Sequence, residues 1–158
     1  MLSKRRKVFS LVLFILFLVT LVFIWSNSLQ SIPSSKAESL RIGEIIEPIL
    51  EPIVGDGDVT DHLVRKMAHF VEFFALGCEL IGLSLVRGQR GWKTVGLCLF
   101  VGLIAASIDE TIQIFSNRGA QVQDVLLDLA GVTFGVSLTL LARWCILLFC
   151  SKIPHDSR

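Results

Sequence analysis

Four apolar runs, each close to or beyond the ~20 residues that cross a ~30 Å hydrocarbon layer, constrain this chain more than any other feature. Residues 8–26 carry no charge, and residues 64–86 are apolar with charges embedded. Residues 91–115 keep their acids near the far end, and residues 125–150 hold one acid early and one Arg late. The runs take up most of the chain and leave little room for a soluble domain. The expected fold is all-α: an integral membrane bundle of four transmembrane helices with a short amphipathic outer segment. We read residues 1–158 as one membrane domain, with spans at about 8–26, 64–86, 92–116 and 125–150 and an outer segment at 27–63. Composition agrees. Hydrophobic residues make up 53% and charged residues 18%, against about a quarter charged in an ordinary soluble domain.

The first run could be a signal peptide or an anchor, because Lys4-Arg5-Arg6-Lys7 precedes it. Its apolar core exceeds the ~7–15 residues of a signal h-region. Ser26-Asn27-Ser28 offers small residues at signal-like spacing, but an uncleaved anchor is the expectation. The four cysteines, Cys78, Cys98, Cys145 and Cys150, all fall in apolar runs without a Cys-x-x-Cys pair. They read as small hydrophobes rather than a disulfide framework or thiolate metal site. The net charge of +1 says nothing about nucleic acid, but no basic stripe or aromatic-basic interleaving supports binding it, so it is not an expected partner.

Orientation follows from Lys and Arg in short loops. The N-terminal segment holds four basic residues, the loop after the second run has Arg87, Arg90 and Lys93, and the chain's end has Arg143, Lys152 and Arg158. With four spans these lie on one side, which places both termini in the cytoplasm. On the other side, Ser35-Lys36-Ala37-Glu38 has the pattern of a helix capping box. Ile42, Ile45, Ile46, Ile49, Leu50 and Ile53 then follow at helical spacing among Glu44, Glu47 and Glu51. Pro48 and Pro52 interrupt them, so one or two short amphipathic helices on the outer leaflet are expected. Gly55-Asp56-Gly57-Asp58 reads as a solvated turn, because it lacks the spacing to a Glu that a calcium loop requires.

Ionisable residues inside a membrane are costly and point to function. On the second span, taking His62 as zero, Lys66 falls at about 40°, His69 at about −20°, Glu72 at about −80° and Glu79 at about −100°. This stripe should face the bundle interior. Asp109, Glu110 and Gln113 share a broad face of the third span, with Asp109 roughly 10 Å below the surface by helical rise. Two adjacent carboxylates at that depth need partners, and the following loop supplies Arg118. The fourth span re-enters with Asp124 and Asp128 on one face. Gly131 and Gly135 extend that face as a small-xxx-small pattern, which also offers a surface for a homo-oligomer.

Polar groups on three spans thus fall at one depth on one side. A purely structural lock would pair Lys66 and Arg118 with Glu72, Asp109 and Asp124. However, Arg65, Lys66 and Arg118 set against Glu72, Asp109, Glu110, Asp124 and Asp128 leave two more acids than bases. Protonated carboxyls, a cationic His69 or a bound group must make up the difference.

The spaced set Lys66-x-x-His69-Phe70-x-Glu72-Phe73-x-x-Leu76-Gly77, then Asp109-Glu110-x-x-Gln113, then Arg118, Asp124 and Gly131-x-x-x-Gly135 resembles the VanZ-like family of bacterial membrane proteins. That family is named for an accessory protein of glycopeptide (teicoplanin) resistance. The family pattern often has Asn where this chain has Asp128. The resemblance implies a bacterial cell membrane and an envelope-related role, without a mechanism.

Three functions compete. The first is a non-catalytic envelope protein whose outer-leaflet pocket binds a lipid-linked or glycopeptide ligand. In it Lys66, His69 and Arg118 would hold a phosphate, and Asp109 and Glu110 an amine or sugar hydroxyls. The second is a membrane enzyme using His69, Glu72, Asp109 and Glu110 as acids and bases on lipid-linked phosphates or glycans. No Ser-x-x-Lys, Gly-x-Ser-x-Gly or His-Glu-x-x-His motif accompanies those residues. The third, a proton-linked or solute transporter, fits poorly unless the chain oligomerises, because four short spans show neither broken helices nor an inverted repeat. The first is preferred. A His69/Glu72 metal pair is conceivable in a bundle, but no metal and no cofactor is expected. Membrane lipids are the expected surroundings.

Overall fold

A chain surrounded by lipid must satisfy its backbone internally, and long apolar runs do so as helices. The computed structural model describes residues 3–30, 39–45, 60–116 and 121–151. Helix α1 runs Lys4–Ser28, residues 39–45 form a short helical segment, α2, and α3 runs Asp61–Val86. Helices α4 (Trp92–Phe115) and α5 (Val122–Ser151) complete the chain. The four longer helices are each long and apolar enough to cross a membrane. Helix α2 stands where the isoleucine spacing places a helix. The Ser35–Glu38 cap, the stretch from Ile46 to Ile53, the Gly55–Asp58 turn and Arg118 lie outside the described residues.

Helix ends follow local chemistry. Ser3 and Thr60 cap α1 and α3, their hydroxyls accepting from the backbone N–H of Arg6 and Leu63. The tight link between α3 and α4 turns on Gly88 and Gly91, whose φ values of 84° and 96° suit a residue without a Cβ. Outside the bundle, apolar side chains such as Leu11, Val19, Phe100 and Phe149 are exposed, as lipid-facing residues are. Inside, Ile24, Phe73, Leu76, Ile81, Ala106 and Val132 form the core.

The α3–α5 pair makes the most extensive contact, and glycine is the reason. A Cβ on Gly131 would lie 2.6 Å from the Phe70 carbonyl oxygen, and one on Gly135 would run into the carbonyl oxygen of Phe74. From the other side, a Cβ on Gly77 would meet the backbone of Val132. Such seams let two membrane helices touch backbone to backbone. The Gly131/Gly135 face that the sequence offered to a second copy is therefore covered by α3 of the same chain. A homo-oligomer through this face would have to displace that helix. The small-residue pattern reports close approach, not whose helix approaches.

Helix α1 packs on α3 and α4. Its Trp25 Nε1 lies 3.5 Å from the carbonyl oxygen of Ala105, where small residues on α4 admit the ring. All four cysteines are free thiols. Cys98 is buried in the core.

Candidate functional site

The stripe on α3 opens as a fan, each polar side chain meeting a different neighbour. At the leading edge, Lys66 Nζ forms an ion pair with Asp124 Oδ1 of α5 at 2.9 Å. Next, His69 Nδ1 faces Asp109 Oδ2 of α4 at 3.7 Å. Beyond it, Glu72 Oε1 accepts from Asn27 Nδ2 of α1 at 2.8 Å. Deepest, Glu79 Oε1 accepts from the Thr20 hydroxyl of α1 at 2.9 Å. The order of partners, α5 then α4 then α1, follows the angular order of about 40°, −20°, −80° and −100° set by helical geometry. Glu72 therefore turns toward α1 while His69 turns toward α4.

Asp109 is the hub. It is fully buried (0% exposed), and its Oδ1 accepts from the Ser28 hydroxyl at 2.6 Å. Its Oδ2 accepts from Gln113 Nε2 at 2.9 Å, the i, i+4 pairing that the spacing of the two residues allows. Glu110 is also buried, and its Oε2 accepts from the backbone N–H of Gln121 at 3.2 Å, tying the end of α4 to the start of α5. Asp128 differs from the rest. It is 1% exposed, yet neither carboxylate oxygen has a hydrogen-bond partner among the described residues.

Sequence reasoning missed two members, Asn27 and Ser28. It ended the first span at Ser26 and gave both to the outer segment, whereas α1 continues through Ser28 and buries that side chain completely. The unmatched acids were the available signal, since carboxylates on three helices leave a demand for donors that the fourth must meet.

Between α3, α4 and α5 lies a cavity of about 210 Å³. Arg65, Lys66 and His69 line it from α3, Glu110 and Gln113 from α4, and Asp124 and Asp128 from α5. Its wall carries cationic, acidic and amide groups side by side, suited to a ligand with both anionic and hydroxyl or amine groups. Of the nine residues singled out from the sequence, six border this cavity and Asp109 lies behind it on His69. Glu72 borders a second cavity between α1, α2 and α3, and Arg118 lies outside the described residues. At the opposite end of the bundle, Arg5, Arg6, Arg90 and Arg143 line another cavity, so these four arginines gather away from the acids.

Comparison with curated proteins and with solved structures returned no match. The sequence model of a family described as VanZ/LLP1 matches residues 8–143. That stretch holds the greater part of all four long helices and every residue of the polar cluster, and the chain belongs to the VanZ/LLP1 family.

Proposed function

We propose that this protein is a bacterial plasma-membrane protein of the cell envelope, with both termini in the cytoplasm, whose outer-face cavity binds a lipid-linked envelope precursor or a glycopeptide. The observation that carries the reading is the cavity between α3, α4 and α5, where Arg65, Lys66 and His69 stand opposite Glu110, Asp124 and Asp128. Cations there match a phosphate, and carboxylates match amines and sugar hydroxyls. Family membership supports the envelope role and a link to glycopeptide resistance. The arginines gathered at the other end support the orientation, because Lys and Arg favour the cytoplasmic side.

The test pairs orientation with phenotype. In a chain without its native cysteines, a cysteine at Gly88 should resist an impermeant thiol reagent added from outside, and one at Gly57 should react. Lys66→Ala, His69→Ala and Asp109→Asn should then reach near-normal membrane abundance and thermal stability while losing any protection against teicoplanin-type lipoglycopeptides. If every inactive variant is also unstable, the cluster is a structural lock and the pocket reading falls.

A further inference from the structure

Among the described residues, Asp128 is the buried carboxylate with neither oxygen hydrogen-bonded. His69, Asp109 and Asp128, one from each of α3, α4 and α5, each present a ligand atom, and these three atoms lie within 4.8 Å of one another. We propose that this trio binds one divalent metal ion of the zinc or manganese class.

The donor chemistry fits. One imidazole nitrogen and two carboxylate oxygens suit Zn²⁺, Mn²⁺ or Fe²⁺, rather than the soft ions that thiolates select. Two carboxylates beside a neutral imidazole carry a charge that one divalent cation cancels. Asp128 gives the independent reason to place an ion there. Buried polar atoms almost always have partners, and an isolated buried carboxylate is costly, yet both oxygens of Asp128 are without one among the described residues.

The geometry is close to what coordination requires. Bonds of about 2.0–2.2 Å put neighbouring ligand atoms roughly 3–3.5 Å apart. The His69–Asp109 separation is 3.7 Å and no two ligand atoms of the trio are more than 4.8 Å apart, so no gap needs to close by more than about 1–2 Å, a movement that small torsions on three side chains deliver together. Ligating carboxylates are themselves usually held by hydrogen bonds, and Asp109 is held by Ser28 at 2.6 Å and Gln113 at 2.9 Å. Each of its oxygens keeps a further lone pair for an ion. His69 and Asp128 also line the 210 Å³ cavity, so the remaining coordination positions face that space. Water or an anionic oxygen of a ligand would fill them. Ion binding here does not depend on the cavity holding an envelope ligand.

The experiment uses the full chain purified in detergent, equilibrated with Zn²⁺ or with Mn²⁺, desalted and assayed for metal by mass spectrometry. About one equivalent of one ion per chain should remain, and the Tm of the protein should rise with ion concentration, as ligand linkage requires. Asp128→Asn and His69→Gln should abolish retention, Gln113→Ala should weaken it about 10–100-fold, and Glu79→Gln should retain the ion. Loading the unaltered chain with Co²⁺ locates the ion even if a variant fails to fold. Visible bands of nitrogen and oxygen ligation are expected, and thiolate charge transfer would place the ion on a cysteine and overturn the assignment. Folded protein that takes up neither Zn²⁺ nor Mn²⁺, or Asp128→Asn that retains the ion as well as the parent, would overturn it too.

Discussion

The α3–α5 seam changes character along its length. In its middle, Gly77, Gly131 and Gly135 bring the two backbones into direct contact, and the polar contact there is that of Cys78 Sγ to the Gly135 carbonyl oxygen at 3.5 Å. Toward the end where α3 begins, the helices are bridged by Lys66 and Asp124 and enclose the polar cavity. The dry stretch fixes where the helices are, and the wet stretch uses the positions so fixed. A seam made of backbone contact has no slack to absorb a side chain, whereas an ion pair at a cavity mouth has water as a substitute for either partner. The two stretches should therefore answer mutation differently.

The largest effect is expected in the dry stretch. Gly131→Leu must force α3 and α5 apart, because the first added carbon already lies 2.6 Å from the Phe70 carbonyl oxygen. Overpacking costs about 1–3 kcal/mol or more, and folded protein in the membrane should drop sharply, as read by abundance and by Tm in detergent. Leu138→Ile on the exposed face of the same helix should change neither. Equal tolerance at Gly131 would mean that the seam opens in the membrane.

An intermediate effect is expected at Ser28. Ser28→Ala removes the 2.6 Å donor to the buried Asp109, and a hydrogen bond between membrane helices is worth about 1 kcal/mol. A Tm lowered by a few degrees, with abundance largely kept, is the expected reading. No change in Tm would show that Asp109 finds another donor as good.

The smallest effect is expected at the cavity mouth. Lys66 and Asp124 remain 32% and 24% exposed, and an ion pair so placed contributes under about 1 kcal/mol. Lys66→Ala should thus leave Tm nearly unchanged. A loss of about 3–5 kcal/mol, the cost of orphaning one partner of a fully buried pair, would erase the contrast between the two stretches and favour a lock.

The sequence made much of the fold legible, because runs of about 20 apolar residues have few other solutions. It also grouped the polar residues at one depth, since helical rise converts a count of residues into a depth. Rotation of one helix about its axis relative to another leaves no trace in a single sequence. For that reason the stripe angles on α3 were readable while its partners were not. Asp128 could be placed on the Gly131 face, but its convergence with His69 and Asp109 depends on how α4 and α5 turn. Asn27 and Ser28 were hidden by a different fact. A hydropathy pattern ends a span where polar residues begin, and here those residues continue the helix and point inward.

The fan on α3 also sets a timetable for the chain's birth. Of the four long helices, α3 is the least apolar and α1 the most. When it leaves the ribosome, α1 is already in place to receive two of its acids, through Asn27 at 45 residues' separation and Thr20 at 59. His69 and Lys66 must wait, for their partners Asp109 and Asp124 are encoded later. A helix carrying unmatched charges is poorly held by lipid alone, so α3 depends on α4 and α5 to be held stably in the membrane. The polar residues of α3 thus find all their partners only once α5 has been made.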